Sequence, residues 1–108
     1  MSIRETATTP EPPYYAVIFT SVRADTDPVE YIGMARRMVE LASLQPGFLG
    51  IESAREDIGI TVSYWRDLEA IRDWKRQSDH VEVQQAGRSG LYFHYVTRIA
   101  RVERAYEF

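Results

Sequence analysis

The sequence predicts an α+β fold in which a four-stranded antiparallel sheet carries two helices on one face. Four runs rich in aromatic and β-branched residues are typical of strands, and two segments with apolar residues at helical spacing lie between them. A short turn joins the second and third runs, whereas each helix connects two runs. The order β-α-β-β-α-β is that of the split βαβ motif.

Length and composition favour one soluble domain. The chain has 108 residues, no cysteine and a net charge of −3, which argues against disulfides, thiol chemistry, zinc knuckles and nucleic-acid binding. No apolar run approaches the roughly 18 residues of a membrane span, and no signal peptide is evident. We expect a cytoplasmic protein with a disordered proline-containing arm over residues 1–13 and a single domain over 14–108.

The first half of the chain predicts a central strand and a capped helix. Residues 14–22 form a strand-like run. Up to Thr20, the odd-numbered and the even-numbered residues are both apolar, as expected for a strand covered on both faces. Asp27 is a candidate N-cap, with Pro28 at the first helical position. The helix should end at residues 45–47, where proline and glycine follow each other.

The second half predicts a hairpin, a helix and a long last strand. Residues 48–55 and 60–65 form the two hairpin strands, and Asp67 caps the second helix. A short third helix or turn is expected from Ser78 to about Gln85. The last strand is expected to run from Leu91 to Phe108.

The apolar side chains of the strands predict a homodimer. Phe19, Trp65 and several residues of the last strand cannot all point to the face that the helices cover. A second subunit would cover the other face. We therefore expect two copies packed sheet to sheet, with the tail of the last strand reaching the partner.

Five segments come in the order and spacing of a known family. The segments are Gln45–Ser53, Gly59–Trp65, Leu68–Lys75, Asp79–His80 and Arg101–Tyr106. They resemble the antibiotic biosynthesis monooxygenase domain, and within it a group of uncharacterised bacterial proteins of the YqjZ type. The resemblance implies a dimeric ferredoxin-like α+β barrel, in agreement with the predicted topology. Members include oxygenases that need neither metal nor flavin, haem-degrading enzymes and proteins without a demonstrated reaction.

The sequence argues against the haem-degrading branch. Those enzymes resemble one another in an asparagine on the first strand, a tryptophan in the middle and a histidine iron ligand on the following helix. This chain contains no asparagine. Its His80 follows Trp74 by six residues, whereas the ligand in that branch would fall near Val83 and Gln84. We therefore predict no cofactor.

The remaining activity that the resemblance implies is cofactor-independent oxidation of a small phenolic or quinol-like substrate. Such a reaction needs a base, a dry apolar pocket and hydrogen-bond donors for the developing oxyanion. His80 is the candidate base, because its ordinary pKa lies near neutrality. Glu52, a carboxylate between apolar strand residues, is the second candidate. The candidate substrate-binding residues are Phe19, Arg55, Tyr64, Trp65, Trp74, His94 and Tyr95.

Each of these residues also has a structural interpretation. His80 could be a surface or capping residue, His94 a packed or interface residue, and Trp74 a core residue. Glu52 could pair with Arg55, Arg98 or Arg101, since an unpaired buried carboxylate is costly. For the whole chain, the alternatives are a non-catalytic binding or structural dimer of the same fold and, third, a haem-binding or haem-degrading protein.

Overall fold

The computed structural model describes residues 5–25, 27–84 and 92–108 of the chain. It confirms the predicted element order and the α+β class. The elements are β1 (Tyr14–Arg23), α1 (Pro28–Ser43), β2 (Phe48–Arg55), β3 (Gly59–Trp65), α2 (Leu68–Gln84) and β4 (Tyr92–Val102).

The four strands form one antiparallel sheet in the order β2-β3-β1-β4. The strand predicted to be central, β1, is paired on both sides, and β2 and β4 are the edges. Alternation gives the sheet two faces. The helix face, under α1 and α2, carries Val17, which pairs with Ser63 and Ile99. The opposite face, which we call the open face, carries Ile18 and Val62.

Both helices begin at the predicted aspartate caps. The Oδ1 atom of Asp27 accepts a hydrogen bond from the backbone N–H of Val29 at 2.8 Å, and Pro28 follows at the first helical position. The Oδ1 atom of Asp67 accepts from the N–H of Ala70, also at 2.8 Å. These bonds satisfy backbone donors that the first turn of a helix cannot satisfy itself.

The prediction of a separate third helix is wrong, because α2 continues unbroken to Gln84. The Nζ atom of Lys75 lies 2.9 Å from Asp79 Oδ1, one turn further along, and the Ser78 hydroxyl donates to the Lys75 carbonyl at 3.0 Å. The ion pair, at i,i+4 spacing, supports the helix in this polar stretch. The last strand is also shorter than predicted and ends at Val102; its predicted start at residue 91 lies outside the described residues.

The core lies between α2 and the adjacent end of the sheet. Trp65 at the end of β3 is fully buried, and its indole N–H donates to Ser63 Oγ at 2.8 Å. Its ring stacks on that of Trp74 from α2, with ring centres 6.0 Å apart, and meets the ring of Phe48 edge-on at 5.4 Å. Ala70 and Ile71 complete this contact.

Residues 5–13 lie outside the helices and strands, and part of this segment contacts the open face. The backbone N–H of Ala7 donates to Glu52 Oε1 at 2.7 Å, and Thr9 Oγ1 lies 2.9 Å from the Tyr14 hydroxyl. The predicted disorder of the arm stays a prediction.

In the part of the chain that the structure describes, no helix is long and apolar enough to cross a membrane. The cytoplasmic location stays a prediction.

Candidate functional site

A cavity of about 420 Å³ lies between the helix face of the sheet and the two helices. This volume falls within the range of about 300–1,000 Å³ that is typical of small-molecule sites. Its wall is mainly apolar and combines strand and helix side chains. Its apolar lining includes Val17, Phe19, Met34, Met38, Val39, Ile51, Ile71, Trp74 and Ile99.

Two arginines lie at the end of the cavity where β1 finishes and β3 begins. Arg55 lines the cavity, and its Nη2 donates to the Ser21 hydroxyl. The guanidinium lies directly against the backbone of Gly59, where a Cβ atom would overlap it. The Cζ atoms of Arg23 and Arg55 lie 4.2 Å and 5.5 Å from the centre of the Tyr31 ring. We call these five residues the arginine end of the cavity.

Each of the two guanidinium groups has a buried nitrogen without a hydrogen-bond partner. These atoms are Nε of Arg23 and Nη1 of Arg55. Within the described residues, neither arginine forms an ion pair with a carboxylate. Buried polar groups are normally satisfied, so two such atoms at one place are an exception that requires an explanation.

The other charged groups on the cavity wall neutralise each other. They are Lys75 and Asp79 on α2, whose ion pair has Nζ–Oδ distances of 2.9 and 3.0 Å. Arg55 is therefore the one charge lining the described cavity without a counter-ion, and its field favours anions.

Phenol and phenyl rings cluster beside the arginine end. The Phe19 ring lies 5.1 Å from the rings of both Tyr92 and Tyr95, and Tyr31 meets Tyr92 edge-on at 5.9 Å. All four rings line the cavity. The wall therefore offers aromatic surface together with hydroxyl groups that can donate or accept hydrogen bonds.

The structure brings four of the predicted substrate-binding residues together on this wall: Phe19, Arg55, Trp74 and Tyr95. Trp65 does not line the cavity. It lies behind Trp74 in the core, because the two indole rings stack and only the outer one reaches the cavity.

Three other predicted residues lie on the open face, away from the cavity. The hydroxyl of Tyr64 donates to Glu52 Oε2 at 2.8 Å. Burial, followed by this bond and the charge of Glu52, raises the pKa of Tyr64 to about 12. The predicted ion pair of Glu52 with an arginine is wrong, since its partners are Tyr64 and the backbone of Ala7. His94 on β4 is exposed and pairs with Val22.

Neither of the predicted catalytic residues lines the cavity. His80 lies exposed on α2, and Glu52 is on the other side of the sheet. Their roles as a base stay predictions, which this placement does not support. Among the described residues, no three histidine, aspartate or glutamate side chains come together as a metal site.

Sequence reasoning missed Ser21, Arg23, Tyr31 and Gly59. One signal was available for two of them. Ser21 and Arg23 follow Phe19 at alternate positions of β1, which places all three on one face of an ideal strand.

A sheet with two helices on one face and a largely apolar cavity beneath them defines a small α+β protein with a candidate ligand site. Residues 13–86 match the model of the antibiotic biosynthesis monooxygenase family. The chain is 52% identical over 98 residues to the uncharacterised protein YqjZ of Bacillus subtilis (strain 168), covering 89% of this chain and 85% of that protein. The chain belongs to the antibiotic biosynthesis monooxygenase family.

Solved structures share the fold at low sequence identity. A mutant of SnoaB, a cofactor-independent oxygenase from Streptomyces nogalater, is 18% identical with a TM-score of 0.69, over 85% of this chain and 95% of that one. The NE2512 protein of Nitrosomonas europaea, of unknown function, is 9% identical with the same TM-score of 0.69, over 88% and 94%. These likenesses confirm the ferredoxin-like fold.

Proposed function

We propose that the chain is a cofactor-independent monooxygenase that oxidises a small phenolic or quinol-like substrate in the cavity under the helices. The observation that carries the proposal is the cavity itself, whose wall is mainly apolar and aromatic, with one arginine end and the Lys75–Asp79 ion pair as its charged parts. SnoaB, which shares the fold, is described as a cofactor-independent oxygenase. Membership of the monooxygenase family supports the same reaction class.

The proposed reaction balances without an added reductant. A ring CH₂ group activated by a neighbouring phenol becomes C=O, one atom of dioxygen enters the product, and the other leaves as water with the two hydrogens. The substrate supplies all four electrons. The chain's part is to orient the ring against Phe19 and Trp74, to exclude water and to donate hydrogen bonds to the developing oxyanion.

The test is oxygen consumption by the purified, chelator-treated protein with a panel of anthrones and hydroquinones, with isotopically labelled dioxygen to follow the inserted atom. Ala35→Phe places a ring inside the cavity and should abolish turnover. Arg36→Phe adds the same side chain at the neighbouring, exposed position and should not. Equal loss in both variants, or no turnover with any substrate, would reject the proposal.

The roles predicted for His80 and Glu52 have a direct test in the same assay. If His80 or Glu52 is the catalytic base, the variant His80→Ala or Glu52→Gln should lose turnover but still bind the substrate. Unchanged turnover in both variants would remove them from the mechanism.

A second candidate function is a binding protein that uses the same cavity without chemistry. The placement of His80 and Glu52 away from the cavity favours it. It predicts saturable binding of aromatic ligands with no oxygen consumption.

We propose that the reaction needs no haem. Neither His80 nor His94 lines the cavity, so the described wall offers no imidazole ligand for the iron. Titration with hemin should give no Soret band characteristic of an axially ligated haem, and a saturable band at one equivalent would contradict the proposal.

We propose that two copies form a dimer through their open faces. Val22 and Ile60 remain 37% and 46% exposed there, although they belong to strands of the sheet. Tyr106 and Phe108, beyond the end of β4, are also exposed and are available to a partner chain. Light scattering at micromolar concentration should give twice the monomer mass.

Ile60→Glu should shift the protein to monomers, because it introduces a charge into the proposed interface. Ile58→Glu, in the exposed turn before β3, is the matched control and should remain dimeric. A monomer mass for the unaltered chain would contradict the dimer.

A further inference from the structure

We propose that the arginine end of the cavity is an anion site, so that the chain selects aromatic ligands carrying a carboxylate or phenolate group over neutral ligands of the same shape. The inference rests on the proposed function in taking the cavity as the site of an aromatic ligand. It adds the chemical class of that ligand and the residue that recognises it, Arg55.

Arg55 lines the cavity, and its neighbours define the position of its side chain in the ligand-free protein. Its guanidinium lies against Gly59, and the Ser21 hydroxyl accepts a hydrogen bond from Nη2. A side chain larger than hydrogen at position 59 would displace the group. The sequence therefore provides both the charge and the gap in the strand surface that accommodates it.

The protein leaves the hydrogen bonding of this group incomplete. Arg55 Nη1 is buried and has no partner, and the same holds for Nε of Arg23, beside the same Tyr31 ring. A guanidinium presents donors in a fork that matches the two oxygens of a carboxylate. Because Nη1 is shielded, we expect the bound anion to turn the guanidinium plane toward itself.

The charges around the cavity favour an anion rather than a cation. Asp79 is the carboxylate on the described wall, and Lys75 already pairs with it. An anion at Arg55 gains from the nearby charge of Arg23 as well, in surroundings where apolar walls limit screening by water. A cation at the same place would meet two uncompensated positive charges.

This ligand class also bears on how the proposed reaction starts. The described wall carries no histidine, and its carboxylate is ion-paired. A substrate that binds as its phenolate has already given its proton to solvent, whereas a carboxylate group would only orient the ring. Arg55 then lowers the free energy of the electron-rich form that reacts with dioxygen, and no protein base is required at that step.

The test compares two ligands of the same shape, naphthoate and the neutral naphthamide, by calorimetric titration and by quenching of the tryptophan fluorescence. With the unaltered chain, we expect naphthoate to bind at least about tenfold more tightly, as one charge-assisted hydrogen bond would provide. A substituted nitrophenol, titrated above and below its own pKa, distinguishes a phenolate from a carboxylate as the preferred anion.

Two variants assign the preference to Arg55. Arg55→Gln should weaken naphthoate binding to the level of naphthamide and leave naphthamide binding unchanged. Gly59→Ala keeps the charge but displaces the guanidinium, and should act in the same direction. The matched controls are Arg36→Gln on the exposed side of α1 and Gly33→Ala, where a Cβ atom meets nothing within 4 Å.

The outcomes separate the two proposals. If both ligands bind with equal affinity, or if Arg55→Gln weakens both equally, the anion site is overturned while the aromatic cavity stands. If neither ligand binds the unaltered chain, the aromatic cavity fails and the proposed function fails with it. The comparison of ligands on the unaltered chain remains decisive even if a variant does not fold.

Discussion

The hydrogen bond between Trp65 and Ser63 gives a stability prediction that can be worked out from the structure. Trp65 is fully buried and its N–H donates to Ser63 Oγ at 2.8 Å. Ser63→Ala removes the acceptor and leaves the indole donor buried and unsatisfied. We expect a loss of about 1–3 kcal/mol in the free energy of unfolding, the usual cost of such a group.

Trp65→Phe keeps an aromatic ring against Phe48 and Trp74 but removes the donor and leaves a small cavity. We expect a loss of about 2–3 kcal/mol. Once Trp65→Phe has removed the donor, adding Ser63→Ala should cost little, because no buried N–H is then left without an acceptor. The double-mutant cycle should therefore give a coupling energy of about 1–2 kcal/mol.

The assay is urea unfolding followed by circular dichroism, at one protein concentration because the proposed dimer would make stability depend on concentration. Ser53→Ala is the matched control, since Ser53 is exposed, and should change stability by less than about 0.5 kcal/mol. If Ser63→Ala leaves the free energy of unfolding unchanged, or if the coupling energy is below about 0.3 kcal/mol, the reasoning is refuted.

Three further predictions concern a phenol, a helix cap and a turn. Burial, and then Glu52, raise the pKa of Tyr64 to about 12. The protonated phenol therefore contributes to the stability of the fold below pH 10, and this contribution is lost as the pH rises toward about 12. Tyr64→Phe should therefore flatten the alkaline fall of the melting temperature; an unchanged fall would contradict the shift. The hydrogen bonds from the Ala70 N–H and then from Arg66 lower the pKa of Asp67. The ionised Asp67 therefore contributes to the stability of the fold above the ordinary carboxylate pKa, and this contribution is lost as the pH falls through the lowered pKa. Asp67→Ala should lower the melting temperature by a few degrees at neutral pH and have less effect in acid; an equal effect at both would exclude the cap. Gly47→Ala should also destabilise the fold, because Gly47 has φ +84° and a Cβ atom there would lie 2.7 Å from the Cβ atom of Ala70. An unchanged melting temperature would exclude this strain.

Features that depend on neighbouring residues were predictable from the sequence. Each helix cap involves an aspartate and a backbone donor two or three residues further on, so Asp27 and Asp67 are visible in the local pattern. The hairpin of β2 and β3 follows from two strand-like runs with a short turn between them. The central position of β1 follows from its apolar residues on both alternate sets.

Features that depend on strand order were not predictable from these patterns. An ion pair between Glu52 and Arg98 requires their strands to be neighbours, but β2 and β4 form opposite edges, about 14 Å apart at 4.8 Å per strand spacing. Arg55 is three residues from Glu52 on the same strand, which places it on the other face. The contact with Ala7 depends on the path of the N-terminal segment, which has no periodic pattern.

In the candidate site, too, the types of the residues were predictable, whereas their positions were not. Phe19 and Tyr95 were predicted as wall residues from their type, but only the register of β1 with its two neighbours brings them to the same cavity. His80 was chosen for its ordinary pKa, which says nothing about where a helix residue points. The match between Arg55 and Gly59 arises from pairing across β2 and β3, and a glycine in a strand gives no sign of which side chain occupies its empty space.

The stacked indoles of Trp65 and Trp74 make the two sides of the cavity unequal in how freely they can evolve. On the α2 side the wall is continuous with the core, so a substitution that reshapes the ligand site there also lowers the stability of the whole domain. On the α1 side the wall includes Met34 and Met38, whose unbranched thioether chains adapt to neighbours of different shape, while Ala42 near the end of that helix belongs to the core. Changes of ligand can therefore accumulate around the two methionines at little cost to folding, while α2 and Ala42 preserve the core.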